Sequence, residues 1–355
     1  MHPAPVNPGS IELGVDNFAA IVLDPLTGKT LGAADQLNDL VEQIIVADQV
    51  GLDSFGIGEH HRPDSLDSAP TLILAAAATR TQHIRLTSAV TVLSADDPVR
   101  VFQQFATLDL LSRGRAEIVA GRGSSVEAYP LFGHDLHDYD SLFQEKLDLL
   151  LQLRDHTHLH WSGRHRAPLT GQGVYPRPVQ VQLPIWLGVG GTPASFARAG
   201  TLGLPLMIAI IGGSFRQFRP LVDLYRQAGH EAGHDPATLR VGVHAFGYVA
   251  DSTAQALNEF YPGYHRMMAE RGRERGWRPP TREQFEATAG PGGAFLIGDA
   301  QTVAQKVLNL SDVLGGVSRV TFQMTNVLLT HERMQRAITL LGTEVAPRVR
   351  ERLPL

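Results

Sequence analysis

The sequence contains no cysteine among its 355 residues. This absence excludes a disulfide-stabilised secreted scaffold, zinc or iron–sulfur sites built on thiolates, and a cysteine nucleophile. An excess of either charge is also lacking, because 31 Lys and Arg against 36 Asp and Glu give a net charge of only −5. The sequence has no basic stripe that would neutralise nucleic-acid phosphates, so a DNA- or RNA-binding role is not expected.

Long hydrophobic runs are missing as well. The longest, residues 204–211, covers less than half of the roughly 20 residues that a membrane-spanning helix needs. The first five residues show no basic segment followed by an apolar one. With 43% hydrophobic residues the chain can nevertheless bury a large core. We therefore expect a soluble cytoplasmic enzyme with no membrane partner.

Eight short runs rich in Val, Ile and Leu alternate with segments whose apolar residues recur about every 3.6 positions. This alternation is typical of a parallel sheet built from βα units. Eight units in a row match a closed (β/α)₈ TIM barrel, which we favour over a doubly wound open sheet of about five or six strands. The predicted strands are 11–18, 54–60, 84–93, 116–122, 185–191, 205–213, 241–250 and 319–326, and the predicted helices are 35–50, 69–79, 99–111, 139–154, 193–199, 215–231, 252–271 and 302–314.

Two segments are too long and too rich in Pro and Gly for simple turns. They are residues 156–183, after the fourth helix, and residues 271–296, between the seventh and eighth strands. Because barrel units continue on both sides of each, we predict one domain over residues 1–355 with two insertions. Both insertions are expected to lie over the pocket and close it.

The carboxyl ends of barrel strands carry the functional groups of this fold. The second predicted strand ends in Glu59, His60 and His61. Neighbouring residues of a strand point to opposite sides, so only one of the two histidines can face the barrel mouth. That histidine either transfers protons or hydrogen-bonds the rim. No compact set of further ligands accompanies it, and we predict no metal site.

The fifth predicted strand leads through Gly190, Gly191 and Thr192 into a helix that includes Ser195. Small residues before a helix N-terminus allow a phosphate to approach its free N–H groups, although Thr192 could equally be a simple N-cap. Arg122, between two glycines at the end of the fourth strand, needs an anion, which is either a carboxylate or a ligand phosphate. Rossmann and P-loop glycine motifs are absent from the sequence.

Several motifs, taken in order, strongly resemble the bacterial luciferase-like flavin monooxygenases. They are residues 54–61 (SFGIGEHH), 88–100 (SAVTVLSADDPVR), 111–115 (LSRGR), 121–123 (GRG), 130–133 (PLFG) and 143–147 (FQEKL). The resemblance continues through residues 185–213 and covers nearly the whole chain in order. Together these motifs are far more specific than any one of them.

The resemblance implies a (β/α)₈ barrel that uses reduced FMN, supplied by a separate flavin reductase, and dioxygen. Such an enzyme oxidises a small organic substrate through a flavin 4a-hydroperoxide. The family position of the FMN phosphate matches Arg122, Gly190, Gly191, Thr192 and Ser195. The isoalloxazine position matches Ser88, Ala89 and Val90, where the family often has a cis non-proline peptide bond.

The resemblance also implies that His60 and His61 are catalytic, with His60 as the main candidate for proton transfer. It implies a homo-oligomer. Luciferase itself has a reactive cysteine where this chain has Gly121, so light emission is not expected. Two other interpretations of the function stay open. One is a deazaflavin-dependent dehydrogenase that transfers hydride, and the other is a flavin-binding protein without catalysis.

Overall fold

The computed structural model describes residues 11–123 and 125–351, so residues 1–10, 124 and 352–355 of the predicted domain lie outside the described part. The strands are β1 (Glu12–Asn17), β2 (Ser54–Ile57), β3 (Arg85–Ser88), β4 (Thr91–Val92), β5 (Ala116–Gly121), β6 (His158–Trp161), β7 (Leu169–Gly173), β8 (Ile185–Val189), β9 (Leu206–Ala209), β10 (Val241–Val249), β11 (Leu296–Gly298) and β12 (Arg319–Gln323).

The α-helices lie between these strands and after the last of them. They are α1 (Ala33–Gln49), α2 (Pro70–Ala78), α3 (Pro98–Ser112), α4 (Ala128–Leu131), α5 (Tyr139–Asp155), α6 (Pro193–Thr201), α7 (Arg219–Glu231), α8 (Thr253–Arg275), α9 (Arg282–Ala289), α10 (Ala300–Leu314), α11 (His331–Leu340) and α12 (Ala346–Glu351). Within the described ranges, no helix combines the length and the apolar character needed to cross a bilayer.

Eight parallel strands form a closed barrel. Their order is β1, β2, β3, β5, β8, β9, β10 and β12, and β12 pairs again with β1. The register joins the two ends of the sequence, since Glu12 lies opposite Arg319 and Asp16 opposite Gln323. The predicted (β/α)₈ TIM barrel is confirmed.

The boundaries differ from the predicted ones at several functional points. Strand β2 ends at Ile57 instead of residue 60, so the Glu-His-His motif belongs to the following loop. The third predicted strand is divided into β3 and β4 by a cis peptide bond between Ala89 and Val90. The helix predicted over residues 252–271 continues to Arg275, where Gly276 terminates it with a positive φ of 75°.

The two predicted insertions contain secondary structure of their own. Strands β6 and β7 form an antiparallel hairpin within residues 156–183. Helix α9 lies within residues 271–296, and β11 then pairs in parallel with β10 outside the barrel. Neither the hairpin nor these two elements was predicted, because their apolar residues are too few to form a period.

Side chains along each barrel strand point alternately outward, toward the helices, and inward, toward the barrel interior. Outward residues such as Leu13, Val15, Val320 and Phe322 are buried against the surrounding helices. The inward positions of β1 and β12 are polar or glycine instead; they are Glu12, Gly14, Asp16, Arg319, Thr321 and Gln323. The barrel interior is therefore a polar and partly open volume, while the main hydrophobic core lies between strands and helices.

Candidate active site

A cavity of about 950 Å³ opens at the carboxyl ends of the barrel strands. Seven of the predicted site residues line it: His60, Ser88, Ala89, Val90, Arg122, Gly190 and Thr192. The other three, His61, Gly191 and Ser195, do not line it. The fold thus brings residues from the ends of β2, β3, β5 and β8 to one volume.

His60 lies in the loop after β2 and is 7% exposed. Its Nδ1 is 2.9 Å from Oδ2 of Asp67, a fully buried carboxylate. Burial raises the pKa of Asp67, and the hydrogen bond and charge of His60 oppose this rise. The ring of His60 also packs on Phe18, with centroids 5.0 Å apart. Asp67 and Phe18 together fix the orientation of the imidazole, whose second nitrogen is left for a ligand in the cavity.

His61 has a different environment from its neighbour. Its Nε2 lies 3.1 Å from Oε1 of Glu59, and its ring meets the edge of Phe132. The hydrogen bond to Glu59 raises the pKa of His61. Glu59 also accepts a hydrogen bond from the backbone N–H of Val92, at 2.9 Å. His61 therefore lies outside the cavity and positions Glu59, which lines the cavity together with Val92 of β4.

The segment after β3 forms one wall of the cavity. The Ser88 hydroxyl donates to the carbonyl of Val119 and accepts from its N–H, which ties β3 to β5. The Val90 side chain fills the space above Gly121 and Gly188, where added Cβ atoms would lie 2.5 and 2.9 Å from it. Ser88 thus holds β3 against β5 by bonding with backbone groups. Val90 presents an apolar surface beside the cis peptide bond.

The turn between β8 and α6 leaves open space. A Cβ built on Gly190 or Gly191 would meet no atom within 4 Å. Thr192 is the N-cap residue of α6, but its side chain makes no capping hydrogen bond. Ser195 is buried, and its N–H donates to the carbonyl of Thr192 at 2.9 Å. The hydroxyl of Thr192 is thus available at a helix N-terminus, where the helix dipole favours an anion.

Arg122 lies beside this turn at the end of β5. Its Nη1 donates to Asp140 at 2.5 Å, and its guanidinium covers the ring of Tyr139 at 4.9 Å. Asp140 is well exposed, with 68% of its side chain accessible. The sequence left open whether Arg122 meets a carboxylate or a phosphate. It contacts a carboxylate here, at an exposed position where a stronger anion can compete.

Four polar residues on the cavity wall were missed by the sequence prediction: Asp16, His244, Thr321 and Gln323. They lie on β1, β10 and β12. Each occupies an alternate position in an otherwise apolar strand, so period-two polarity was the signal that could have identified them.

The bottom of the barrel contains a buried ion-pair network. Arg319 is fully buried, and its guanidinium donates to Glu12 and Glu117, each at 2.6 Å. It also lies 4.6 Å from the ring of Trp186. Burial opposes ionisation of Glu117, but the charges of Arg319 and Arg85 prevail and lower its pKa to about 2. This network closes the barrel below the cavity.

The roof of the cavity comes from the end of α8 and the residues after it. Met267, Met268, Arg271 and Trp277 line the cavity, so the segment 271–296 contributes to its closure as expected. Residues 156–183, all of them described, do not line it. Their hairpin is instead attached to α5, where Trp161 Nε1 donates to Asp148 at 3.1 Å. The expectation that both insertions cover the pocket was wrong for this one.

The described residues contain no group of three or more His, Asp or Glu side chains arranged to bind a metal ion. The site is instead built from hydrogen-bonded histidines, an open helix N-terminus and apolar walls. These are features of a pocket for an organic ligand with an anionic group.

Residues 17–315 match the family model described as luciferase-like monooxygenase. The chain belongs to this family. The match includes the loop with His60, the β5 end with Arg122 and the turn with Thr192.

Two curated relatives of the chain differ in the chemistry that their names describe. 4-Hydroxyprotoasukamycin monooxygenase of Streptomyces nodosus subsp. asukaensis is 28% identical over 322 residues, covering 85% of this chain and 84% of the relative. An F420-dependent glucose-6-phosphate dehydrogenase of Amycolatopsis mediterranei is 30% identical over 173 residues, covering 46% of this chain and 51% of the relative. Oxidoreductase chemistry is common to both.

A solved structure shows the same fold. It is the oxygenating constituent of 3,6-diketocamphane monooxygenase from Pseudomonas putida, a type II Baeyer–Villiger monooxygenase in complex with FMN. The TM-score is 0.77, the identity is 19%, and the match covers 96% of this chain and 99% of that one. At this identity the likeness concerns the barrel alone.

Proposed function

We propose that this luciferase-like monooxygenase uses reduced FMN and dioxygen to oxidise a small organic substrate in the cavity above the barrel. One observation carries the proposal. His60, which is held by Asp67, and the open turn at Gly190 and Thr192 line the same cavity. The first can transfer a proton and the second can hold a phosphate.

The residues at the turn fit the phosphate of FMN. The space above Gly190 and Gly191 is free, and the Thr192 hydroxyl has no capping bond to give up. Arg122 would exchange the exposed Asp140 for the phosphate or bind both. Val90, packed over Gly121 and Gly188, would support the ring system. When bound, reduced flavin supplies the electrons that activate dioxygen.

The chain's own residues would control protons and water. His60, oriented by Asp67, would donate or accept a proton at its free ring nitrogen. Apolar groups, among them Phe18, Met207, Phe246 and Met268, line the cavity and would limit water around the reacting atoms. His61 would position Glu59 without contacting the substrate. The reductase, the homo-oligomer and the cytoplasmic location implied by the sequence stay predictions.

Anaerobic titration with reduced FMN tests the proposal directly. We expect a saturable complex and a higher melting temperature, followed by oxygen consumption when a flavin reductase and NADH are supplied. No complex with FMN in either redox state would contradict the proposal. A complex without enzyme-dependent oxygen consumption in the presence of substrate would indicate a flavin-binding protein without catalysis.

Deazaflavin-dependent hydride transfer is the second candidate. It is favoured by the match to an F420-dependent dehydrogenase over residues of the same barrel. The same turn, which we propose to bind an anion, and the same His60–Asp67 pair would serve it. Parallel thermal unfolding with reduced FMN and with coenzyme F420 separates the two candidates, since the cofactor that the site prefers gives the larger stabilisation.

A further inference from the structure

The wall of the cavity formed by β1, β10 and β12 contains a second histidine–carboxylate pair. Nδ1 of His244 lies 2.6 Å from Oδ2 of Asp16, and the hydroxyl of Thr321 donates to the same carboxylate oxygen. Asp16 is 3% exposed and His244 is 7% exposed. Since Nδ1–H donates to Asp16, the neutral ring presents Nε2 as an acceptor, and His244 lines the cavity.

Gln323 lies beside this pair. It is opposite Asp16 on one side and Phe246 on the other in the barrel register. Its side chain lines the cavity and is 3% exposed, yet its Oε1 has no hydrogen-bond partner among the described residues. A buried amide without partners is unfavourable and is uncommon in folded proteins. A ligand that bonds with this amide would reduce the penalty.

A hydroxyl group can bond with both neighbours at once. It donates its one proton to Nε2 of His244, and its oxygen accepts from the side-chain N–H of Gln323, which also has no partner among the described residues. We propose that His244 and Gln323 form a hydroxyl-binding subsite, and that the substrate is a small alcohol or phenol. The assignment deepens the proposed function and rests on it only for the identity of the cofactor.

The subsite also has a chemical role. As oxidation begins, the substrate O–H bond breaks, its proton moves to Nε2 of His244, and the electron pair stays on the substrate oxygen. Asp16 stabilises the resulting imidazolium through the existing contact with Nδ1. The anionic oxygen makes the substrate richer in electrons, which favours its oxidation by either candidate cofactor.

The test uses two probes of the same shape, 4-ethylphenol and 4-ethyltoluene, which differ in one hydroxyl group. Isothermal titration calorimetry gives their affinities for the full-length protein, alone and with cofactor. We expect the wild type to bind 4-ethylphenol about tenfold more tightly, as one to two buried hydrogen bonds predict. Equal affinities for the two probes would overturn the subsite.

Gln323→Met is the decisive variant, because the parent side chain has no hydrogen-bond partner to lose among the described residues. We expect its melting temperature to equal or exceed that of the wild type, while its preference for 4-ethylphenol falls below about threefold. Gln301→Met, at an exposed position on α10, is the matched control and should keep the full preference. A full preference in Gln323→Met would contradict the proposal.

His244→Asn keeps an N–H that can donate to Asp16 and removes Nε2. We expect it, too, to lose the preference for 4-ethylphenol, and to lower turnover of a hydroxylated substrate more than turnover of a substrate without the hydroxyl group. An unchanged preference together with unchanged turnover of the hydroxylated substrate would overturn the role of His244.

Titration with the cofactors shows whether the substrate or the cofactor bonds with Gln323. An isoalloxazine ring also carries N–H and C=O groups, so a loss of reduced FMN affinity in Gln323→Met with no change in probe preference would assign the amide to the cofactor and overturn the substrate assignment. A wild type that prefers 4-ethylphenol but binds neither FMN nor F420 would refute the proposed function and leave the subsite supported.

Discussion

His60 and His244 contact the same aromatic ring from different parts of the chain. Their rings lie 5.0 and 5.6 Å from that of Phe18, and a carboxylate meets Nδ1 of each. The two differ in position, because His60 follows β2 whereas His244 lies within β10. His60 follows a strand end, as does the turn that we propose to bind the phosphate, so His60 is the better candidate for proton transfer near the proposed cofactor.

Replacing His60 by Asn tests this role. Asn can still donate to Asp67, while the second ring nitrogen is lost. We expect turnover of an identified substrate to fall by about 10²–10⁴-fold, the usual contribution of a general acid or base. Affinity for reduced FMN should change by less than about threefold. Oxygen consumption gives the first quantity and anaerobic titration gives the second.

His137→Asn provides the control, since the His137 side chain is almost completely exposed. It should leave both turnover and FMN affinity at the wild-type values. Turnover of His60→Asn equal to that of the control would refute the catalytic assignment, and a parallel loss of FMN affinity would make His60 a binding residue.

The sequence identified one of these two histidines. His60 could be found because Glu59, His60 and His61 interrupt an apolar run, and the family motif contains them. His244 was overlooked as an interior residue of a predicted strand. Its inward direction follows from strand alternation, but its contact with Asp16 joins positions 228 residues apart. Only the closed barrel brings them together.

The turn from β8 to α6 gives a prediction at the level of elements. Gly190→Ala adds a methyl group to space that is empty in the free protein, so stability should stay within about 0.5 kcal/mol of the wild type. The same methyl group would occupy the path of the phosphate, and we expect about tenfold weaker binding of reduced FMN. Chemical unfolding and anaerobic titration measure the two effects.

Gly121→Ala, in contrast, should lower the stability of the unliganded protein. Its Cβ would lie 2.5 Å from Val90, so the wall after β3 must move, at a cost of about 1–3 kcal/mol. Gly292→Ala adds a methyl group to open space outside the cavity and should change neither property. Unaltered FMN affinity in Gly190→Ala would mean that the phosphate does not use this turn.

Helix α10 contains a lysine whose charge should affect stability at high pH. Lys306 is 4% exposed, and its Nζ donates to the backbone carbonyls of Ala289 and Gly290. Burial lowers its pKa from 10.5 to about 8. Between these two pH values the unfolded chain keeps a proton that the folded chain has lost, so the Lys306 contribution to stability rises with pH.

Comparison with Lys306→Met measures this contribution. The wild-type advantage in unfolding free energy should increase from pH 8 to pH 10.5 and be constant below pH 7. Lys29→Met, at an exposed position, should show a difference that does not depend on pH. A wild-type advantage that shrinks between pH 8 and 10.5 would show that the pKa is not lowered.

Regular elements were easier to predict than short ones. Helices α3 and α5 were predicted to within one residue at each end, because both have a clear helical period and α3 also has Pro98 at its first position and Asp97 as its N-cap. The β6–β7 hairpin was missed, since β6 is four residues long and buries only Leu159 and Trp161. Its partner β7 is largely exposed and contains two glycines, which gives no pattern to detect.

The closed barrel depends on charges that meet across its interior. Arg319 on β12 joins Glu12 on β1 and Glu117 on β5, while Arg240 and Arg85 contact the same two carboxylates from their outer sides. Its two partners are 307 and 202 residues away in the sequence. Local periodicity carries no information on such pairs, although the count of eight units was enough to predict the barrel itself.

Arg319→Met should destabilise the whole molecule. It leaves two buried carboxylates with one arginine contact each, and removal of one partner from a buried ion pair typically costs about 3–5 kcal/mol. Urea unfolding should show a lower midpoint with an unchanged slope, because the barrel still unfolds as one unit. Arg336→Met, which breaks an exposed pair with Asp251, should cost less than about 1 kcal/mol.

Lowering the pH should reduce the difference in unfolding free energy between Arg319→Met and the wild type. The ion pairs lower the folded pKa of Glu117 to about 2, so its stabilising contribution is complete above its unfolded pKa of 4.5 and is lost as the pH falls toward 2. In the variant, burial dominates and the carboxyl takes up its proton at higher pH, which relieves the unpaired charge. The difference in unfolding free energy between the two proteins should therefore be smaller at pH 4 than at pH 7. A gap of the same size at both values would mean that the destabilisation comes from lost packing against Trp186 rather than from the two carboxylates.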